Sequence, residues 1–208
     1  MEPEHHEALN DRLREVAAVA QSVHGFINEH AGALLYQMAR FIAPVPTVVE
    51  LGSWRGRSTI WLAAGIMDRG EGQVHAVDTW QGTPHEPEHR KLLADYGPDE
   101  LFNEFWGNMT TAGLADRVEP IRASTKEAAR GWPGDRRIGL LFIDADHNYE
   151  AVRQDFEFWS PFMAPGGYIV FDDVPDWHGP TRLITELPKW YRFLKAQHNL
   201  IAFQKAPG

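Results

Sequence analysis

The chain has 208 residues, 43% of them hydrophobic and 24% charged, the balance of a soluble globular domain rather than of a disordered chain. Its 20 basic and 29 acidic side chains leave a net charge of −9, the wrong sign for a chain whose main partner is a phosphate backbone. Cysteine is absent, which excludes disulfides, thiolate metal sites and a cysteine nucleophile. The acidic start at Met1-Glu2-Pro3-Glu4 and the lack of any long apolar run predict a cytoplasmic chain with no signal peptide or membrane span.

Residues 5–43 carry apolar side chains at helical spacing, Leu9, Leu13, Val16, Ala20 and Val23, then Leu34, Leu35, Met38, Phe41 and Ile42. The pattern predicts two helices separated near Gly25 and stopped by Pro44 and Pro46, so residues 1–44 read as a helical cap or lid on a domain spanning 45–208. Thr47-Val48-Val49-Glu50-Leu51 reads as a buried strand ending at Gly52, followed by a helix over 58–67 and a second strand over 73–77 closing on Asp78. Residues 80–97 read as a loop. A helix then opens at Pro98-Asp99, carries Leu101, Phe102, Phe105, Trp106 and Met109, and stops at Gly113.

A weak strand over 118–121 and a short helix over 125–130 lead to the apolar strand 138–143, which ends in Asp144. Tyr149, Val152, Phe156 and Trp159 mark the next helix. Pro165-Gly166-Gly167 reads as a turn before a strand over 168–171 that ends in Asp172-Asp173. A helix over 181–187 and two short runs, 191–194 and 200–203, complete the chain, the runs forming a hairpin. Strands apolar on both faces and separated by helices predict a doubly wound α/β domain, a mostly parallel sheet of seven strands with an antiparallel hairpin at its end.

Ligands of such sheets sit outside the carboxyl ends of the strands. Those ends carry Glu50 and Gly52, Asp78, Ala123 and Ser124, Asp144 and Asp146, and Asp172 and Asp173. A single Asp there also reads as a helix cap, but five polar ends at one crevice point to a ligand site. The first turn, Glu50-Leu51-Gly52-Ser53-Trp54-Arg55-Gly56-Arg57-Ser58, is not a dinucleotide fingerprint, because Trp54 and Arg57 stand where small residues are needed. Gly52 allows close backbone approach to a ligand, and Asp78 is placed to accept ribose hydroxyl protons or to cap a helix. Asp144, Asp172 and Asp173 fall at the ends of adjacent strands, where three carboxylates repel one another unless a cation neutralises them. Oxygen ligands suit Mg²⁺, Mn²⁺ or Ca²⁺.

The order strand-Glu-x-Gly, Asp, Phe-Ile-Asp-Ala-Asp-His-x-Tyr and Gly-Gly-Tyr-Ile-Val-Phe-Asp-Asp resembles the class I S-adenosylmethionine-dependent methyltransferases. It is most similar to the small metal-dependent O-methyltransferases of the catechol and caffeoyl-CoA type and their sugar- and antibiotic-modifying relatives. The resemblance covers 45–175 and implies a Rossmann-like methyltransferase fold. It implies that Glu50, Gly52, Ser53 and Ser58 surround the methionine end of the cofactor, that Asp78 holds the ribose, and that Ala123 and Ser124 face the adenine. Asp144, Asp172 and Asp173 match the metal-ligand positions, with Asp-Asp where catechol-type enzymes have Asp-Asn. His147 stands where those enzymes place a lysine base, and a histidine can accept a proton near neutral pH.

The expected activity is methyl transfer to a hydroxyl of a small molecule, with Asp144 and His147 at the reacting atoms, no nucleic-acid or membrane partner, and self-association left open. His178 is the alternative base, and His85 and His89 read as loop histidines. Trp80 and Trp177 are candidates to stack on substrate, and Trp106 reads as core. The competing readings are a methyltransferase-like binding or hydroxylase-associated protein and a nucleotide-dependent oxidoreductase, the latter disfavoured by the missing glycine fingerprint.

Overall fold

Parallel strands need both faces covered, and the sequence supplies a helix after nearly every strand. The computed structural model describes residues 3–83 and 87–207, so His85 lies outside the described residues. The N-terminal helices are α1 (Pro3–Gln21) and α2 (Glu29–Gln37), the latter capped by the Asn28 side chain and continued by a wider π turn over Met38–Ile42. Then come β1 (Thr47–Leu51), α3 (Arg57–Arg69), β2 (Gln73–Asp78), α4 (Pro87–Leu92), α5 (Glu100–Thr111) and β3 (Val118–Arg122). The chain continues through α6 (Thr125–Gly131), β4 (Ile138–Ile143), α7 (Tyr149–Trp159), β5 (Met163–Phe171), α8 (His178–Thr185), β6 (Tyr191–Gln197) and β7 (Leu200–Lys205).

The seven strands run in the order β3-β2-β1-β4-β5-β7-β6, parallel from β3 to β5 and antiparallel through β7 and β6. Alternate residues serve opposite faces. Val48, Val74, Ala76, Leu140, Phe142 and Val170 meet the side of α1, α2, α3 and α5. Val49, Leu51, Val77, Leu141, Ile143 and Phe171 meet the side of α6, α7 and α8. Among the described residues, no helix is long and apolar enough to cross a membrane.

The expected sheet and hairpin are present, and the differences are local. The loop expected over 80–97 contains α4, which has an acid in its first turn, bases in its last and no buried residue. Its charges suit the helix dipole, but it shows no apolar periodicity to read. Pro165-Gly166-Gly167 does not precede the strand as a turn. It forms an irregularity inside β5, where the register with β4 jumps between Ile138↔Met163 and Leu140↔Tyr168 and Gly166 takes φ 74°. The helix expected over 181–187 starts earlier, at His178, and both hairpin strands run longer than the apolar residues alone suggest.

In register, Leu51 lies beside Val77 and Ile143, Ile143 beside Phe171, and Val77 beside Ile121. The ladder then carries over into the turns. Gly52 N–H donates to Val77 O, Asp144 N–H to Leu51 O, Asp172 N–H to Ile143 O and Ala123 N–H to Asp78 O. The sheet thus lines up the polar residues that end five strands along one edge.

Candidate functional site

A cleft of about 640 Å³ opens at that edge, and Gly52, Asp78, Ser124, Asp144, Asp173 and Trp177 are among its lining residues. One wall comes from the α1–α2 connector. The Arg57 side chain donates to Val23 O at 2.7 Å and also to Ile27 O, which fixes this connector and the half-exposed Phe26 beside the cleft.

The turn after β1 is built around two glycines and one carboxylate. Gly52 has φ 87°, and a Cβ there would stand 2.0 Å from the Asp144 carbonyl oxygen. The approach of the β4 end therefore demands a glycine here, a reason additional to the close ligand approach read from sequence. Gly56, φ 93°, precedes α3, and a Cβ there would meet Met109 at 2.4 Å. The Asp78 carboxylate accepts N–H bonds from Ser53 and Trp54, both 2.9 Å, and from Trp80 at 2.7 Å. Burial pushes this carboxyl up and the three backbone donors pull it back. Trp54 and Trp80 adopt left-handed backbone angles at φ 48° and 52°, strain that the Asp78 bonds help to hold.

Glu50 points from β1 into the protein and is fully buried. Its Oε2 accepts the hydroxyls of Ser53, at 2.7 Å, and of Thr59, while Oε1 has no partner. The nearby Ser58, in the first turn of α3, also favours the ionised form of this carboxyl. Burial outweighs these donors and raises the Glu50 carboxyl to about 7. A raised acid favours folding below its unfolded value, and that contribution is lost as the pH rises through 7. On this basis Glu50→Gln should shrink the fall in stability of the ligand-free protein between pH 5 and pH 8 by about 3 kcal/mol. Denaturant unfolding at the two pH values checks this, and an unchanged difference would show that Glu50 does not titrate in this range.

Asp144 and Asp172 lie in hydrogen-bonding contact at the ends of β4 and β5. Burial, then the charges of Asp172 and Asp173, hold Asp144 well above the usual carboxylate range. Asp172, only 5% exposed, is pushed to about 7 by burial and by Asp173, against the N–H that Asp173 donates to its Oδ1 at 2.7 Å. Asp173 itself is left-handed at φ 62°, and its Oδ2 lies 2.6 Å from His147 Nε2. The His147 ring stacks on Trp177, centroids 4.5 Å apart and planes 22° from parallel. Ligand-capable atoms of Asp144, His147 and Asp173 lie within 4.8 Å of one another.

Of the three expected metal-ligand positions, Asp144 and Asp173 fall in this group with His147, while Asp172 lies beside them outside it, and His147 is drawn closer to Asp173 than the sequence suggests. Ala123 and Ser124 line the cleft at the end of β3, where the Ser124 side chain also caps α6 in a capping box with Glu127. His178 starts α8 and is exposed. Trp106 packs against the core as expected. Sequence reasoning missed the stack of His89 on Trp54, 4.5 Å and 15°, because it joins α4 to the β1 turn, which are distant in the chain. It also missed Asp155, although a carboxylate on the apolar stripe of Val152, Phe156 and Trp159 was a readable signal.

Residues 49–174 match the Methyltransferase domain family. A protein of Streptomyces olivaceus named 8-demethyl-8-(2,3-dimethoxy-alpha-L-rhamnosyl)-tetracenomycin-C 4'-O-methyltransferase is 26% identical over 137 residues, covering 61% of this chain and 52% of its own length. The Catechol O-methyltransferase of Mycobacterium tuberculosis is 34% identical over 132 residues, covering 61% and 47%. The chain thus spans about half the length of these two relatives, and 24% and 13% of two uncharacterized proteins that it also matches. Among solved structures, the O-methyltransferase TomG of Streptomyces achromogenes in complex with S-adenosylmethionine aligns with TM-score 0.66 at 17% identity over 95% of this chain and 90% of its own. A Bacillus cereus O-methyltransferase in complex with S-adenosylhomocysteine aligns with TM-score 0.61 at 21% identity, over 94% and 91%. At these identities the two structures establish a shared fold.

Proposed function

The chain belongs to the Methyltransferase domain family, and from that premise we propose that it is an S-adenosylmethionine-dependent O-methyltransferase, assisted by a divalent cation, acting on a small hydroxylated molecule such as a sugar, a phenol or a natural product. The observation that carries this reading is the joining of the β1 turn, Asp78 and the Asp144–Asp172–Asp173 cluster in one cleft. Segment 1–44 serves as its cap, through the connector that holds Phe26. The net negative charge suits a cytoplasmic enzyme with a small acceptor rather than a nucleic-acid or membrane partner.

The residues present fit the cofactor. Glu50 does not line the cleft, but its Oε1, buried without a partner behind Ser53, is an acceptor that the ammonium of the methionine end would satisfy. Asp78 spends three acceptor positions on backbone N–H groups, and a carboxylate offers about four, which leaves capacity for a ribose hydroxyl. Ala123 and Ser124 then border the adenine.

A hard cation such as Mg²⁺, Mn²⁺ or Ca²⁺ would be held by Asp144 and Asp173, whose ligand atoms lie within 4.8 Å of each other, with Asp172 beside them as the third carboxylate. A bound cation offsets the mutual repulsion of these carboxylates and lowers the pKa of a nearby hydroxyl. The chain's own chemistry centres on His147. With Nε2 directed at Asp173 and the ring stacked on Trp177 at the cleft, the imidazole is placed to take the proton of the acceptor hydroxyl. The remaining acceleration comes from holding hydroxyl and sulfonium methyl in line. The grouping of His147 with Asp144 and Asp173 within 4.8 Å favours a second reading, in which the imidazole is itself a ligand.

Chelation tests the proposal. Transfer of labelled methyl from S-adenosylmethionine to a panel of sugars and phenols should cease after exhaustive EDTA treatment and return with Mg²⁺ or Mn²⁺. Full transfer after chelation would defeat the cation's role.

A further inference from the structure

The mechanism leaves one buried carboxyl of the cleft without a task. Asp155 sits in the second half of α7, is 4% exposed, and lines the cleft beside Thr125, Asp146 and Gln154. Its neighbours on α7, Val152, Phe156 and Trp159, are core residues, so a helix chosen for packing alone would carry an apolar side chain here. A carboxyl in such a place costs stability unless something uses it.

Its setting is built rather than incidental. The Thr125 hydroxyl, at the start of α6, donates to Asp155 Oδ1. Thr125 is held in turn by the Trp159 indole N–H, which donates to its carbonyl at 3.1 Å. Asp155 Oδ1 is thereby fixed toward α6, and Oδ2 is the oxygen left over. The charge that acts on it is that of Asp146, while the Lys126 ammonium, also at the cleft, lies over the Phe158 ring at 5.7 Å. Burial raises the Asp155 carboxyl to about 7, with Asp146 adding to the shift.

We infer that Asp155, oriented by Thr125, accepts a hydrogen bond from the 6-amino group of the cofactor's adenine ring and thereby selects adenine over other purines. The inference rests on the proposed binding of S-adenosylmethionine, which puts the adenine beside Ala123 and Ser124, one residue before Thr125. A 6-amino group is a donor and meets the leftover acceptor. A 6-oxo group is an acceptor and faces it with no proton between them.

The test is calorimetric binding, above pH 8 where the Asp155 carboxyl is ionised, of S-adenosylhomocysteine and its deaminated analogue S-inosylhomocysteine to the native chain and to Asp155→Asn. The native protein should prefer the adenosyl ligand by about tenfold to a hundredfold, the worth of one hydrogen bond and its mismatch. In Asp155→Asn the amide oxygen keeps the Thr125 bond and the amide nitrogen takes the position of Oδ2. A donor then faces the 6-position, and the preference should vanish or invert. Equal binding of both ligands to the native chain overturns the inference without recourse to any variant. An unchanged preference in Asp155→Asn also overturns it and leaves Asp155 as a tie between α6 and α7. If neither ligand binds the native chain, the cofactor reading itself falls and takes this inference with it.

Discussion

Replacing His147 with alanine should lower kcat by about 10²–10⁴-fold, the range for loss of a general base, with little change in affinity for S-adenosylhomocysteine. The expectation comes from geometry. His147 Nε2 and Asp173 Oδ2 are 2.6 Å apart, Trp177 lies under the ring, and both His147 and Asp173 line the cleft. A base oriented by a carboxylate is the arrangement that keeps an imidazole in one tautomer. The native rate should rise with pH as the base loses its proton, and the variant should lose that part of the rise. The second reading, imidazole as ligand, makes a different prediction. There His147→Ala weakens Mn²⁺ binding, measured by calorimetry, and added cation restores part of the rate. A variant that keeps both its rate and its pH profile moves the base elsewhere, with His178 next to be replaced.

Asp78→Ala should do two kinds of damage. Three backbone donors, those of Ser53, Trp54 and Trp80, lose their acceptor together, and Trp54 and Trp80 lose what holds them in left-handed conformations. The cost to unfolding free energy should be about 2–4 kcal/mol, typical for breaking a connected buried network. Separately, affinity for S-adenosylhomocysteine should fall at least about tenfold through loss of a charge-assisted bond to the ribose. Denaturant unfolding reads the first effect and calorimetry the second. A folded variant with native affinity would restrict Asp78 to clasping the β1 turn.

Most of the frame was legible because parallel strands buried on both faces write themselves as apolar runs, and β1, β4 and their terminal acids were placed to the residue. What escaped notice had no periodic signal. Helix α4 buries nothing, so its charges looked like a loop. The glycine pair before Tyr168 looked like a turn, since a strand irregularity uses the same residues for the same φ. Within the site, residue types and their convergence could be read, but not their pairings. That His147 would face Asp173, or that Gly52 is required by the Asp144 carbonyl, depends on how two strand ends meet. Asp155 differs from these in being legible, an acid at a buried position of the α7 stripe.

The cofactor is the point on which every role assigned to the cleft depends, and titration of the native chain decides it. S-Adenosylhomocysteine and NAD, each added separately in a calorimeter, should give saturable binding of one S-adenosylhomocysteine per chain and no binding of the dinucleotide, as a turn without the glycine fingerprint requires. Saturable binding of NAD, with none of S-adenosylhomocysteine, would contradict the account.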